Sequence, residues 1–176
     1  MQMKWIGIPT YIESYKNALT RDECKSIISY FESQPKVDGI IGKGFEILDK
    51  SKKSSLELEN LSFSNNNHSI ISKIIFPSIS KYVQKYKKKY KELDSLYYWD
   101  ICDRYTIQKY STENDGYKIW HCENTSPMSS SRILAWMFYL NDAKSGTEFL
   151  RYPNIKPKSG NCIIWPASWT HMHKEK

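Results

Sequence analysis

RILAWMFYLNDAKSGTEFLRY, residues 132–152, holds two short apolar segments on either side of the turn-forming residues NDAKSG. Short runs rich in aromatic and β-branched residues, bounded by Gly, Asn, Asp and Ser, are typical of β-strands. The same pattern recurs through the C-terminal half, in residues 96–110, 117–123, 161–167 and 169–173. Several short strands at this spacing predict a β-sandwich or jelly roll.

The N-terminal half has a helical pattern instead. Thr20 followed by Glu23 matches a capping box, in which each side chain bonds the backbone N–H of the other residue, and it predicts a helix start. The apolar stripe of this helix consists of Cys24, Ile27, Ile28 and Phe31. A second, longer helix is predicted over about residues 69–92, bent or interrupted at Pro77.

Two other segments of this half carry weaker patterns. Residues 38–49 alternate around glycines and predict a strand or hairpin arm, whereas the polar residues 49–69 predict a flexible loop. We therefore expect one α+β, mainly β domain over residues 1–176, with two helices packed on one outer face. Residues 1–94 would form the helical support and residues 95–176 the jelly-roll core.

The composition fits a globular protein. The 176 residues suffice for one domain with a sizeable core, and 40% of them are hydrophobic. No run approaches the roughly 20 apolar residues of a membrane helix, and the first residues lack the apolar stretch of a secretory signal. The cysteines show no CxxC pairing, which favours reduced thiols and a cytoplasmic location. They are Cys24, Cys102, Cys122 and Cys162.

Much of the net charge of +7 comes from the lysine-rich run of residues 81–92. Such a run is compatible with a nucleic-acid or acidic-partner surface, and also with an ordinary solvated helix face, which we favour. Val83, Tyr86 and Tyr90 recur through it at helical spacing and would form its buried side.

Two histidine-containing motifs suggest a metal site. His121 and Glu123 lie two residues apart in WHCEN, so on a strand their side chains would point to the same face. WTHMH supplies His171 and His173, either of which could complete a set of two imidazoles and one carboxylate. This is the ligand set of non-haem Fe(II) centres with open coordination positions.

Several motifs in order, QKYSTENDGYKIWHCEN, RILAWMFYLND, SGTEF and NCIIWPASWTHMH, resemble the prolyl-4-hydroxylase-like branch of the Fe(II)/2-oxoglutarate-dependent dioxygenases. The similarity covers about residues 95–176 and is strongest to small members from bacterial viruses. It implies a double-stranded β-helix, or jelly roll. If the chain is viral, the resemblance places it in the cytoplasm of the host cell.

The resemblance also implies roles for individual residues. His121 and Glu123 match the first two metal ligands of the family, although the family usually has Asp at the second position. His173 matches the distal ligand better than His171 does. Tyr110 and Tyr139 match tyrosines that line the co-substrate pocket, and Tyr139 shares a strand face with the small residue Ala135, which leaves room for a ligand.

The cofactors and partners follow from the same resemblance. It implies Fe(II), 2-oxoglutarate as co-substrate, O₂, and a protein or peptide substrate hydroxylated at a prolyl-type residue, with ascorbate as a further candidate cofactor. Two alternatives stay open. One is the same chemistry on nucleic acid, and the other is a non-catalytic metal-binding jelly-roll module, including a structural zinc site with Cys122 and Cys162.

The chain departs from the family at its C-terminal end. The family has a basic residue about ten positions after the distal histidine, which pairs with a 2-oxoglutarate carboxylate, and a final strand around it. The given sequence ends at Lys176, three residues past His173. Arg132 has the opposite strand parity to Tyr139 and is expected to point away from the pocket. We therefore expect weak binding of 2-oxoglutarate and impaired turnover.

Overall fold

A computed structural model describes residues 9–41 and 48–175. Within these ranges the chain forms two α-helices, ten short strands and three single turns of 3₁₀-helix. The helices are α1, Arg21–Ser33, and α2, Ser69–Lys89. The strands are β1 Glu13–Tyr15, β2 Val37–Asp38, β3 Lys53–Ser54, β4 Leu56–Ser62, β5 Arg104–Lys109, β6 Gly116–Tyr117, β7 Leu134–Phe138, β8 Thr147–Phe149, β9 Cys162–Pro166 and β10 His173–Glu175.

The strands pair into four small sheets, and each described pairing is antiparallel. Two sheets have three strands, in the orders β1-β9-β7 and β2-β4-β5, and two have two strands, β8 with β10 and β3 with β6. The predicted mainly β architecture with two helices is confirmed. Among the described residues, neither helix combines the length and the apolar character that crossing a membrane requires.

Helix α1 begins where the sequence predicts. The Thr20 backbone N–H donates to Glu23 Oε2 at 2.7 Å, and the Glu23 N–H donates to Thr20 Oγ1 at 3.2 Å, so the capping box is complete. Cys24, Ile27 and Phe31 are buried in a core cluster shared with β4 and β5. Local capping and one apolar stripe therefore fix both the start and the orientation of this helix.

Helix α2 presents a buried aromatic side, as predicted from its spacing. Val83, Tyr86 and Tyr90 are each at most 7% exposed. They pack with Cys162 and Ile164 of β9. The alternate β9 residues, Ile163 and Trp165, belong to a different cluster with Tyr139. Because successive side chains of a strand point to opposite faces, α2 covers one face of β9 and the Tyr139 cluster lies on the other.

The N-terminal half contains more β-structure than expected. The polar residues 49–69 were predicted to be a loop, yet they include β3 and the seven-residue strand β4. Leu58 and Leu61 are buried in the core, and a register shift lies between them. Asn60, at φ 56°, takes up the shift, because Asn tolerates left-handed backbone better than most residues. The irregularity hides the alternation that identifies a strand.

Other N-terminal strands also join the sheets. β1 pairs with β9, and β3 pairs with β6, so residues 1–94 contribute strands as well as two helices. Of the segment 38–49, predicted to be a strand or hairpin arm, Asp38 ends β2 and residues 42–47 lie outside the described ranges.

Removal of the capping box tests the account of α1. Thr20→Ala deletes the side chain that accepts the Glu23 N–H, and we expect the free energy of unfolding to fall by about 1 kcal/mol. Urea denaturation of both proteins measures the difference. Ser29→Ala, an exposed substitution in the middle of the same helix, is the matched control and should change stability by less than about 0.5 kcal/mol. Equal effects of the two changes would contradict the capping account.

Candidate metal centre

A short antiparallel bridge brings His121 and His173 together. The His121 N–H donates to the His173 carbonyl at 3.0 Å, and the His173 N–H donates to the His121 carbonyl at 2.9 Å. The Glu123 N–H donates to the Ala167 carbonyl at 2.9 Å, on the segment that follows β9. Residues 117–123 were predicted to be one strand. The regular strand β6 ends at Tyr117, His121 forms an isolated bridge, and Glu123 lies in a turn, so backbone contacts to two different segments, and not one continuous strand, place these two side chains.

Four side chains converge at this bridge. Glu123 Oε1 lies 3.6 Å from His121 Nε2 and 3.5 Å from His173 Nε2. Glu175 approaches the same two nitrogens, with Oε2 3.9 Å from His121 Nε2 and Oε1 3.6 Å from His173 Nε2. The ligand atoms of His121, His173 and Glu175 all lie within 4.8 Å of one another. The three sequence-predicted metal residues therefore meet, together with a fourth residue that was not predicted.

Hydrogen bonds to carbonyl oxygens fix the tautomer of both histidines. His121 Nδ1 lies 3.1 Å from the Ile119 carbonyl, and His173 Nδ1 lies 3.0 Å from the His171 carbonyl. Because a carbonyl oxygen only accepts, each Nδ1 carries the proton and each neutral ring directs the Nε2 lone pair toward the carboxylates. Metal-ligating histidines are usually oriented by this second hydrogen bond.

One further observation indicates that the site fits a divalent metal ion. His173 is 1% exposed, and its Nε2 has no hydrogen-bond partner among the described residues. A buried polar atom without a partner is unfavourable and requires an explanation. Neighbouring ligands of an ion bound at about 2.1 Å are roughly 3.0–3.4 Å apart. The observed nitrogen–oxygen distances of 3.5–3.9 Å require only a small contraction around an ion.

The pKa values of the two carboxylates are shifted in opposite directions. Burial alone would raise the pKa of Glu123, but the close approach of His121 and His173 outweighs it and lowers that pKa well below the usual range. Burial raises the pKa of Glu175, and the histidines only partly offset it. For His173, burial alone would lower the pKa, yet Glu123, Glu175 and the His171 carbonyl together raise it above 6.5. Without a metal, the site therefore favours a proton on His173.

His171 is directed elsewhere. Its Nε2 lies 2.8 Å from the Thr10 carbonyl, its Nδ1 lies 2.9 Å from Thr170 Oγ1, and its ring stacks on Tyr152. Both ring nitrogens are thus occupied away from Glu123. The structure places His173, and not His171, opposite His121.

The two predicted co-substrate tyrosines lie around the same centre. Tyr139 is buried, and its hydroxyl lies 2.8 Å from Thr147 Oγ1. It packs in a core cluster with Trp165. The Trp165 ring in turn contacts the His173 ring edge-on, with the ring centroids 5.1 Å apart. Burial, with the charge of Glu175, raises the pKa of Tyr139 to about 12. The Tyr110 hydroxyl donates to Gln108 Oε1 at 3.1 Å. Burial and then Glu175, Glu57 and Glu123 raise the pKa of Tyr110 well above its usual value.

Arg132 contacts the centre from outside. It was expected to point away from the pocket that Tyr139 lines, and its described side-chain contact is with Glu123, where Nη1 donates to Oε2 at 3.0 Å. Strand parity does not apply to it because β7 begins at Leu134, so Arg132 belongs to the preceding turn. The guanidinium is half exposed and contacts the site from its outer rim.

The cysteines of the zinc hypothesis do not join the histidines. Cys162 packs on the α2 side of β9, and the Cys122 thiol lies 3.6 Å from Asn124 Oδ1. Within residues 9–41 and 48–175, the metal-compatible cluster contains no cysteine. The described geometry therefore gives no support to a structural zinc site of that composition.

The sequence interpretation missed four residues at or near the site. Tyr117 stacks on the His121 ring at 3.7 Å, and Lys53 forms a buried ion pair with Glu57 at 2.8 Å. Glu175 carried a usable signal, because it lies two residues after His173 just as Glu123 lies two residues after His121. Lys53 and Glu57 carried none, since they lie in the polar stretch that was taken for a loop.

Comparison with known proteins identifies the fold. No family model matches the chain, and no curated protein matches its sequence. One similar structure is a prolyl hydroxylase from Trichoplax adhaerens, solved with a peptide of the hypoxia inducible factor oxygen degradation domain. It matches with a TM-score of 0.72 and 12% sequence identity, and the match covers 95% of this chain and 77% of that chain. A viral collagen prolyl hydroxylase from Paramecium Bursaria Chlorella virus-1, solved with 2-oxoglutarate, matches with TM-score 0.61 and 18% identity over 94% and 87%.

These similarities define the class of structure. The chain has the fold of prolyl hydroxylases, so the resemblance noted in its sequence is confirmed at the level of the fold. At these identities the agreement concerns the fold and does not extend to activity.

The raised pKa of His173 makes metal binding depend on pH. A metal ion must displace the proton from His173, so we expect the affinity for Mn(II) to be at least about tenfold weaker at pH 6 than at pH 8. Isothermal titration calorimetry in two buffers with different ionisation enthalpies measures both the affinity and the protons released.

His171→Asn is the matched control for this experiment. Because both His171 ring nitrogens are engaged elsewhere, this variant should keep the affinity and its pH dependence, whereas His173→Asn should lose binding. Loss of binding in His171→Asn alone would show that the distal ligand is misassigned.

Proposed function

We propose that this protein is an Fe(II)- and 2-oxoglutarate-dependent dioxygenase that hydroxylates a prolyl-type residue of a peptide, and that its sheets form a double-stranded β-helix. The observation that carries the proposal is the convergence of His121, Glu123 and His173 around an unpartnered, buried His173 Nε2. Two imidazoles and a carboxylate are the protein ligands of non-haem Fe(II) oxygenases. The shared fold of two prolyl hydroxylases adds independent support.

His121, Glu123 and His173 would hold the iron. When bound, Fe(II) supplies the redox chemistry through which O₂ and 2-oxoglutarate are consumed and the substrate gains a hydroxyl group. The contribution of the chain is to orient these ligands. The Ile119 and His171 carbonyls hold both histidines in the tautomer that exposes the Nε2 lone pair. Arg132 holds Glu123 through Oε2, which leaves Oε1 directed toward the histidines.

Tyr139 and Tyr110 would bind the co-substrate. The Tyr139 and Thr147 hydroxyls form a buried pair at 2.8 Å, in which one hydroxyl donates to the other and one O–H remains for a carboxylate oxygen. Because the pKa of Tyr139 is raised to about 12, this hydroxyl keeps its proton at neutral pH and can donate it in a hydrogen bond. Tyr110, whose pKa burial raises well above its usual value, keeps its proton in the same way.

A peptide substrate agrees with the surface next to the ligands. Three exposed apolar side chains lie on the segments that carry the proposed ligands. They are Trp120, which is 38% exposed, Met128, which is 86% exposed, and Trp169, which is 73% exposed. Single exposed apolar residues are common, but three on the segments that carry the ligands offer an apolar surface to a peptide. One similar structure contains a peptide fragment, and another contains 2-oxoglutarate.

The lysine-rich run gives less support to a nucleic-acid substrate. It lies on α2, which packs against the face of β9 opposite to the Tyr139 cluster. Four of its lysines have internal partners. Lys81 and Lys85 lie over the Tyr82 ring at 5.3 and 5.1 Å, Lys87 lies over the Trp99 ring at 4.9 Å, and Lys89 pairs with Glu13 at 2.7 Å. A polyanion bound along this helix would not be directed to the histidines.

Activity tests the proposal directly. Protein loaded anaerobically with Fe(II) and then given O₂, 2-oxoglutarate, ascorbate and proline-rich peptides should produce succinate and a peptide whose mass has increased by one oxygen atom. His121→Ala removes one metal ligand and should lower succinate formation by at least about a hundredfold.

His171→Asn should retain the activity, because His171 makes its hydrogen bonds outside the metal cluster. Succinate formation that is unchanged in His121→Ala, or a mass increase on an oligonucleotide in place of the peptide, would refute the proposal.

A further inference from the structure

Glu175 makes the centre unlike a three-residue metal site. Its carboxylate is 6% exposed, and it lies two residues after His173 on β10. Its two oxygens divide between the histidines, at 3.6 Å from His173 Nε2 and 3.9 Å from His121 Nε2. These distances are close to the 3.5 and 3.6 Å that separate Glu123 from the same nitrogens. By geometry alone, neither carboxylate is preferred over the other.

The charges around the centre call for a cation near both carboxylates. Glu123 and Glu175 are two acidic groups that face the same pair of Nε2 atoms; Glu175 is buried, and the Glu123 side chain is 29% exposed. Arg132 contacts Glu123 through Oε2 at the outer rim, and Lys53 forms its ion pair with Glu57. Neither contact lies on the oxygens that face the histidines. A divalent cation would balance both carboxylates and also give the buried His173 Nε2 its missing partner.

We propose that Glu175 is a fourth protein ligand of the metal. An octahedral ion held by three residues keeps three open positions, whereas four protein ligands leave two. Two positions suffice for a bidentate 2-oxo acid and would leave none for O₂ while Glu175 stays bound, a consequence that rests on the proposed function.

Manganese binding tests the ligand role without any activity. Glu175→Gln keeps the shape of the side chain and removes its charge, and it should weaken Mn(II) binding by about tenfold to a hundredfold in isothermal titration calorimetry. Glu123→Gln should do the same.

Glu148→Gln is the matched control for this titration. Glu148 and Lys174 form the register pair next to Thr147 and Glu175, so their side chains point to the opposite face, where they pair at 3.2 Å. This control should bind Mn(II) like the unmodified protein. Unchanged Mn(II) affinity in Glu175→Gln would overturn the proposal.

Failure of the proposed function can be distinguished from failure of the ligand assignment. If no variant binds 2-oxoglutarate, the proposed function fails, while the Mn(II) titrations still decide whether Glu175 is a ligand. Glu175→Asp retains the charge on a side chain shorter by one methylene, and its Mn(II) affinity should fall between those of Glu175→Gln and the unmodified protein. An affinity of Glu175→Asp no better than that of Glu175→Gln would contradict a role for the charge.

Discussion

The antiparallel bridge between His121 and His173 is the constraint on which the centre depends. Two backbone hydrogen bonds, at 3.0 and 2.9 Å, hold the two residues opposite each other although they are far apart in sequence. Side chains of directly paired residues lie on the same face, so the bridge alone places both imidazoles side by side. Glu123 and Glu175 each follow one of these histidines by two residues and therefore reach the same point.

The surrounding fold keeps this point buried and leaves one side open. On one face of β9, α2 packs a row of tyrosines against Cys162 and Ile164; on the other, Trp165 packs with Tyr139 and its ring meets that of His173. The rim next to Arg132 stays accessible. Placing a buried and a partly buried carboxylate beside two imidazoles is unfavourable without charge compensation, and Arg132 compensates only the outer oxygen of Glu123. The arrangement is therefore best explained as preorganised for a cation.

The sequence predicted those parts of the molecule in which a local rule applies without interruption. The capping box fixed the start of α1, helical spacing identified the buried side of α2, and a spacing of two placed His121 with Glu123. The missed parts depend on tertiary contacts. Strand β4 is interrupted at Asn60, and Arg132 lies outside the strand whose parity was applied to it. The spacing of Glu175 from His173 was a usable signal, but its position beside His121 depends on the bridge between the two histidines.

Anomalous diffraction from crystals grown with Mn(II) is the most direct test of the central claim, that these side chains form one metal centre. The account predicts a single strong peak within about 2.0–2.3 Å of both Nε2 atoms, with a carboxylate oxygen of Glu123 and one of Glu175 in its coordination sphere. A peak elsewhere on the surface, or a fully hydrated ion that touches neither His121 nor His173, would contradict it.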